Sequence, residues 1–181
     1  MVHLVMQDRN NGLYTVRSAN GNDAAAIVEI LAEVGSEGIY IANEGAYMTV
    51  EHQAIILSSL DPHTHLVLVA EQDGSLVGTL EMVRGTFRKN AHTANFGMAL
   101  RAPARGRRIG EGLLRAAHQW AQSEGVEKIC LSVFSSNRGA IALYQRMGYQ
   151  EEGRRRNQFR LGETLVDEVL MAWYLPPRLA H

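Results

Sequence analysis

The run Arg105-Gly106-Arg107-Arg108-Ile109-Gly110 brings three guanidinium groups and two glycines to the junction of a strand and an amphipathic helix. At a helix start the first backbone N–H groups have no intrahelical partner. They point outward together and carry the positive end of the helix dipole. A pyrophosphate set there meets several donors and a favourable field, and glycine lets the backbone come close to it. Taken alone, the segment reads equally as a solvated basic loop capped by glycine.

A second run, Asn137-Arg138-Gly139-Ala140-Ile141-Ala142-Leu143-Tyr144, is followed by Met147-Gly148-Tyr149. Asn137 is a good helix N-cap, because its side chain can accept from an orphan N–H. Ala140 leaves a small surface where a ligand can lie against the helix. Tyr144 stands about two turns after Asn137, so both fall on one face. By itself this run is also compatible with a capped amphipathic helix and a core tyrosine.

These residues need elements to hold them. Residues 1–12 read as a loose lead-in, and Tyr14–Arg17 as a first strand. Asp23 is expected to cap a helix over Ala24–Val34. A loop over Gly35–Gly45 and a second helix over Val50–Leu60 follow, ended by Asp61-Pro62. Leu66–Glu71 and Leu76–Arg84 form a hairpin about Asp73-Gly74. A fourth strand is expected over about His92–Leu100. Ile109–Glu124 has helical spacing, with Ile109, Leu113, Ala116, Ala117 and Trp120 on one face. Lys128–Phe134 is a strand, Asn137–Met147 a helix, and Tyr149–Arg160 with Thr164–Leu175 a last hairpin. A three-stranded meander feeding a strand-helix-strand crossover predicts a mixed α/β sheet rather than a doubly wound parallel one.

The length of 181 residues suits one domain, 1–181. A formal net charge of −1 gives no global argument for nucleic acid or an anionic membrane. No apolar run approaches the roughly 20 residues of a membrane span, and Asp8, Arg9 and Asn10 break any signal-like stretch. The one cysteine, Cys130, excludes an intrachain disulfide and fits a reducing, cytoplasmic setting. Its neighbours Ile129, Leu131 and Val133 suggest a buried strand residue.

Together the two runs resemble motifs A and B of the GNAT superfamily of N-acetyltransferases, written Q/R-x-x-G-x-G/A and N-x-x-A-x-x-L-Y-x-x-x-G-F/Y. They stand in the expected order, one helix and one strand apart, and the likeness covers about residues 66–175. Motif B is matched throughout. Motif A departs at its fourth position, where Arg108 replaces glycine. Arg108 is expected to keep an ordinary negative φ, to donate its N–H, and to turn its side chain away from the pyrophosphate or along the nucleotide.

The resemblance implies the GNAT fold: a mostly antiparallel seven-stranded sheet, splayed at strands 4 and 5 and flanked by about four helices. It implies acetyl-CoA as cosubstrate, with no metal. Arg105, Gly106, Arg107, Arg108, Ile109, Gly110, Asn137, Ala140 and Tyr144 would bind it. Met98 and Leu100 would offer main-chain groups to the acetyl carbonyl and the pantetheine amides, as an oxyanion site requires, and Ala99 between them would belong to the same cofactor-binding strand.

The implied reaction is direct attack of a neutral amine on the thioester, without a covalent role for Cys130. Tyr144 matches the family's general acid at the departing thiolate. Many members carry a glutamate early in the fourth strand. None stands between Asn90 and Leu100, and His92 lies at about that place. An imidazole is a credible amine base; a surface histidine is the other reading. Glu81, which interrupts an apolar strand, is a second candidate for proton relay or amine binding, or else a solvated strand residue. Glu44 and Tyr47 are possible acceptor contacts.

The acceptor is expected to be a small-molecule amine or amino acid. The alternatives are a protein N-terminus or lysine, or a non-catalytic acyl-CoA sensor. A homodimer is plausible from the family. A dinucleotide enzyme does not fit, because Gly106 and Gly110 lack the G-x-G-x-x-G spacing. The basic run Arg154–Arg160 reads as an exposed face or a dimer contact, with Asp167 and Glu168 able to pair across the hairpin.

Overall fold

The computed structural model describes residues 1–43, 45 and 48–175. Glu44 and Tyr47 lie outside the described residues. The strands are β1 (His3–Gln7), β2 (Leu13–Ser18), β3 (His65–Gln72), β4 (Ser75–Arg84), β5 (Thr93–Leu100), β6 (Lys128–Phe134), β7 (Gln150–Leu161) and β8 (Thr164–Tyr174). The helices are α1 (Ala24–Ser36), α2 (Val50–Ser59), α3 (Ile109–Ser123) and α4 (Arg138–Arg146). None of the described helices is long and apolar enough to cross a membrane.

The strands form one sheet in the order β1-β2-β3-β4-β5-β6-β8-β7. Every neighbouring pair is antiparallel except β5 and β6, which run parallel. Among the described residues the sheet therefore has eight strands, not seven. The extra strand is β1, inside the segment read as a loose lead-in. It pairs with β2 from His3↔Arg17 to Gln7↔Leu13.

β3 explains why the sheet needs helices on both sides. Its residues are buried on each face, so it reads as a continuous apolar run rather than an alternation. Leu66, Leu68 and Ala70 join the large core beneath α3. Val67 and Val69 face Ile27 of α1 and Leu57 of α2. The expected face of α3 is that core: Ile109, Leu113, Ala116 and Ala117 are fully buried, and Trp120 nearly so. α4 contributes Leu143 and Tyr144 to the same side.

Three local readings change. Asp23 does not cap α1 with its side chain. Asn20 caps a short 3₁₀ turn over Gly21–Asp23, and the Asp23 carboxylate returns to the Asn20 N–H and pairs with Arg17. α1 also runs on to Ser36. Cys130 is half-buried on the sheet face opposite Ile129, Leu131 and Val133, and burial raises its thiol pKa. The outer strand β7 is highly exposed. Arg154 and Arg155 pair with Glu151, Asp167 and Glu168, and such charges blunt an open sheet edge.

Gly112, in the first turn of α3, lets the helix sit on the β1–β2 hairpin. A Cβ there would run into the Tyr14 hydroxyl and lie 2.8 Å from Met6 Sδ. That hydroxyl reaches the Arg108 carbonyl at 3.4 Å. We expect Gly112→Ala to cost about 1–3 kcal/mol in denaturant melts, as overpacking does. Adding Tyr14→Phe should recover part of the loss, and strict additivity of the two changes would refute the contact.

Candidate active site

β5 and β6 pair only over Thr93–Asn95 with Lys128–Cys130. Beyond Asn95 the two strands part, while β5 stays paired with β4 as far as Leu100. From there every second residue of β5 directs both its N–H and its C=O into the gap, because a strand alternates the side it bonds to. Met98, Ala99 and Leu100 all line the resulting cleft.

The cleft has a volume of about 1710 Å³. That exceeds the roughly 300–1,000 Å³ of a drug-sized pocket, so an extended ligand and a second molecule fit together. One wall is Arg105, Gly106, Arg108 and Gly110. A second is Asn137, Ala140, Leu143 and Tyr144 of α4. Ile39, Tyr40 and Ile41, which follow α1, face Phe134, Phe159 and Val166 from the far half of the sheet.

The turn before α3 is held from three directions. The first bond of α3 runs from the Gly112 N–H to the Arg108 carbonyl. The Ile109, Gly110 and Glu111 N–H groups are therefore without intrahelical partners. Gly110 sits against Leu100, Leu143 and Met98, where a Cβ would lie 3.1, 3.2 and 3.4 Å from their side chains. Gly106 has φ +72° and Arg108 has φ +69°. The expectation of a negative φ at Arg108 is thus corrected. Arg108 stands where the motif has glycine and adopts a left-handed backbone, at a cost of about 1–2 kcal/mol for an L-residue. The Arg108 side chain is exposed and lines the cleft.

The three arginines do not act alike. Arg105 pairs with Glu37, donates from Nε to the Leu100 carbonyl at 2.9 Å, and lies 4.3 Å over the Tyr40 ring. Arg107 pairs with the fully buried carboxylate of Asp8. Among the described residues, only Arg108 of the three has no ion-pair partner. Two of the cations expected at the mouth instead brace the turn. Glu37, Tyr40 and Asp8 carry no local sequence signature of this duty.

On α4, the Asn137 side chain accepts from the Ala140 N–H at 3.2 Å, as the cap reading requires. Tyr144 is buried against Phe96 and Tyr149, with ring centroids 5.8 Å from each. Burial pushes its hydroxyl up to about 12, so it stays protonated near neutrality. Behind it, Tyr149 hydrogen-bonds His118 at 2.9 Å. His118 stacks on Trp173 at 4.3 Å, and burial lowers its pKa to about 4.

A free helix start, the open edge of a strand and a buried phenol thus share one cleft. The model of the acetyltransferase (GNAT) family matches residues 27–149. The chain belongs to the acetyltransferase (GNAT) family. As a GNAT protein it is an N-acetyltransferase. Similar proteins include the L-amino acid N-acetyltransferase AaaT of Escherichia coli, 29% identical over 87% of this chain and 95% of that protein. The uncharacterized N-acetyltransferase YhfO of Bacillus subtilis is 26% identical over 76% of this chain and 90% of its own. A GNAT-family acetyltransferase from Streptococcus pneumoniae superposes with a TM-score of 0.83 at 25% identity, covering 90% of this chain and 99% of that one.

The two base candidates fall differently in this GNAT enzyme. His92 is exposed at the paired end of β5, where its carbonyl accepts from Glu127 and Lys128, and it does not line the cleft. The structure does not bring it to Tyr144, because the strands are still joined at that end. Glu81 is exposed on β4, is held by His65 Nε2 at 2.7 Å, and does not itself line the cleft either. Its cross-strand partner is Gly97, a residue of the cleft wall.

Asp8 offers a pH test of the bracing. A hydrogen bond from Gln72, joined by those from the Asn10 and Gly12 N–H groups and from Arg107, outweighs burial and holds its carboxyl at about 2. The folded value lies below the unfolded one. Its stabilisation is therefore present above about pH 4 and is lost as the pH falls towards 2. Wild type should be more stable than Asp8→Asn at neutral pH, and the gap should narrow between about pH 5 and about pH 3. A gap that stays constant in urea melts over that range would show that the charge is not what stabilises.

Proposed function

We propose that the protein moves the acetyl group of acetyl-CoA to the primary amine of a small molecule or amino acid by direct attack. The observation that carries this reading is that the α3 start, the unpaired edge of β5 and Tyr144 line one cleft. The residues fit the cosubstrate. The α3 N–H groups suit a pyrophosphate, Gly110 lets the turn pack closely on Leu100, Leu143 and Met98, and the β5 edge suits an amide-bearing arm. Acetyl-CoA, when bound, supplies an acetyl thioester.

Met98 and Leu100 on β5 offer N–H groups to an oxygen that gains negative charge. Tyr144 holds a hydrogen towards the leaving sulphur. Its pKa near 12 lies well above the value of about 8.5 for a thiol. Tyr144 therefore stabilises the thiolate by a hydrogen bond more readily than by complete proton transfer. The amine proton leaves by way of water to Glu81, which His65 orients. The apolar walls from Ile39, Tyr40, Phe134 and Phe159 favour an acceptor with an apolar body. The naming of AaaT for L-amino acids supports the same class.

Two measurements test this reading on a panel of amino acids and small amines. Tyr144→Phe should lower kcat by about 10- to 100-fold, the worth of a hydrogen bond to a charged group. It should leave the Kd for acetyl-CoA nearly unchanged; equal loss of binding and turnover would make Tyr144 structural. Glu81→Gln should slow acetylation most at low pH, where the amine is hardest to deprotonate, with His65→Gln moving the same way. A rate ratio to wild type that is flat across pH would remove Glu81 from proton transfer.

A further inference from the structure

The turn between β1 and β2 is docked on the turn before α3 by two adjacent contacts. The Arg9 N–H donates to the Arg107 carbonyl at 2.9 Å, and the Asp8 carboxylate holds the Arg107 guanidinium. The connection is fixed internally as well. Asp8 accepts from the Asn10 and Gly12 N–H groups at 2.8 and 2.9 Å, and Asn11 adopts φ +65°. The backbone of Arg9 is thus set relative to the cleft, while its side chain is exposed and lines it.

We infer that Arg9 is a cofactor-binding residue that recognises the 3′-phosphate of coenzyme A, the end of the molecule farthest from the thioester. This assignment rests on the acetyl-CoA reading above. The cleft wall runs from Tyr144 to Gly110, which touches Leu143 and Met98. It then passes the turn to the hairpin side, where Gly112 abuts Tyr14 and Met6. A ligand laid along it with its thioester at Tyr144 and its pyrophosphate on the α3 N–H groups meets the hairpin last.

Charge selects Arg9 at that end. Arg107 is bound to Asp8 and Arg105 to Glu37, and neighbouring Arg115 is bound to Glu111 at 2.8 Å. Among the described residues Arg9 and Arg108 form no ion pair; Arg108 directly precedes the α3 N–H groups assigned to the pyrophosphate, which leaves Arg9 to a phosphomonoester dianion farther along. The pyrophosphate has backbone donors of its own, whereas the 3′-phosphate needs a side-chain cation.

The test is calorimetric binding of coenzyme A and of 3′-dephospho-coenzyme A at low salt, without acceptor and without turnover. Wild type should bind coenzyme A more tightly than the dephosphorylated form. Arg9→Ala should weaken coenzyme A by about threefold to tenfold, the worth of a partly exposed charge-assisted contact. It should leave 3′-dephospho-coenzyme A unchanged, and Arg9→Lys should retain most of the preference. Equal losses for both ligands, or no loss for coenzyme A, would overturn the assignment. If wild type bound neither ligand, the acetyl-CoA reading itself would fall, and the assignment with it.

Discussion

The site exists because one pair of strands in an antiparallel sheet is parallel and stays paired for only three residues. Thr93–Asn95 bond to Lys128–Cys130, and then β5 and β6 diverge. A sheet that closed along its full length would have satisfied its backbone groups internally. This one leaves a stretch of β5 with open donors and acceptors, in a place walled by side chains rather than exposed at an outer edge. The rest follows from that break. β4 keeps β5 straight, β8 keeps β6 straight, and α3 and α4 stand at the two sides of the opening.

The turn before α3 shows how charge is divided between support and recognition. Basic residues at an anion site suggest that each cation meets the ligand. Here Arg105 and Arg107 answer to acids of the protein itself, and the α3 N–H groups remain without intrahelical partners beside them. Backbone donors are fixed in direction once their turn is fixed, so the arginines contribute by removing freedom from the turn. Arg108 adds a further demand. Its left-handed backbone is unfavourable for a residue with a Cβ, and it persists because Tyr14, Asp8 and Glu37 restrain the segment around it.

Much of this was legible in the chain. The α3 face from Ile109 to Trp120, the Asn137 cap and the two later hairpins were readable from period and punctuation, because they depend on near neighbours. β1 was not, because His3–Gln7 is a short edge strand with no fully buried residue and is followed by a polar run. The Asp8–Arg107 and Arg105–Glu37 pairs join residues far apart in sequence and leave no local mark. His92 was placed by counting along a strand. Counting cannot tell which end of a strand opens and which stays joined, and His92 stands at the joined end.

The docking of the first hairpin on the cofactor turn has a consequence for how the enzyme comes to be active. Asp8 and Arg107 are 99 positions apart. Their contact closes a long loop and is worth its entropy only after β2, β3 and α3 are in place. The turn before α3 therefore has its final shape only when the first hairpin is docked on it. Linkage also makes the effect mutual: occupancy of the turn stabilises the hairpin, and fraying of the hairpin weakens occupancy by the same factor. The opening strand pair thus shares the stability of the turn that the cleft is built on.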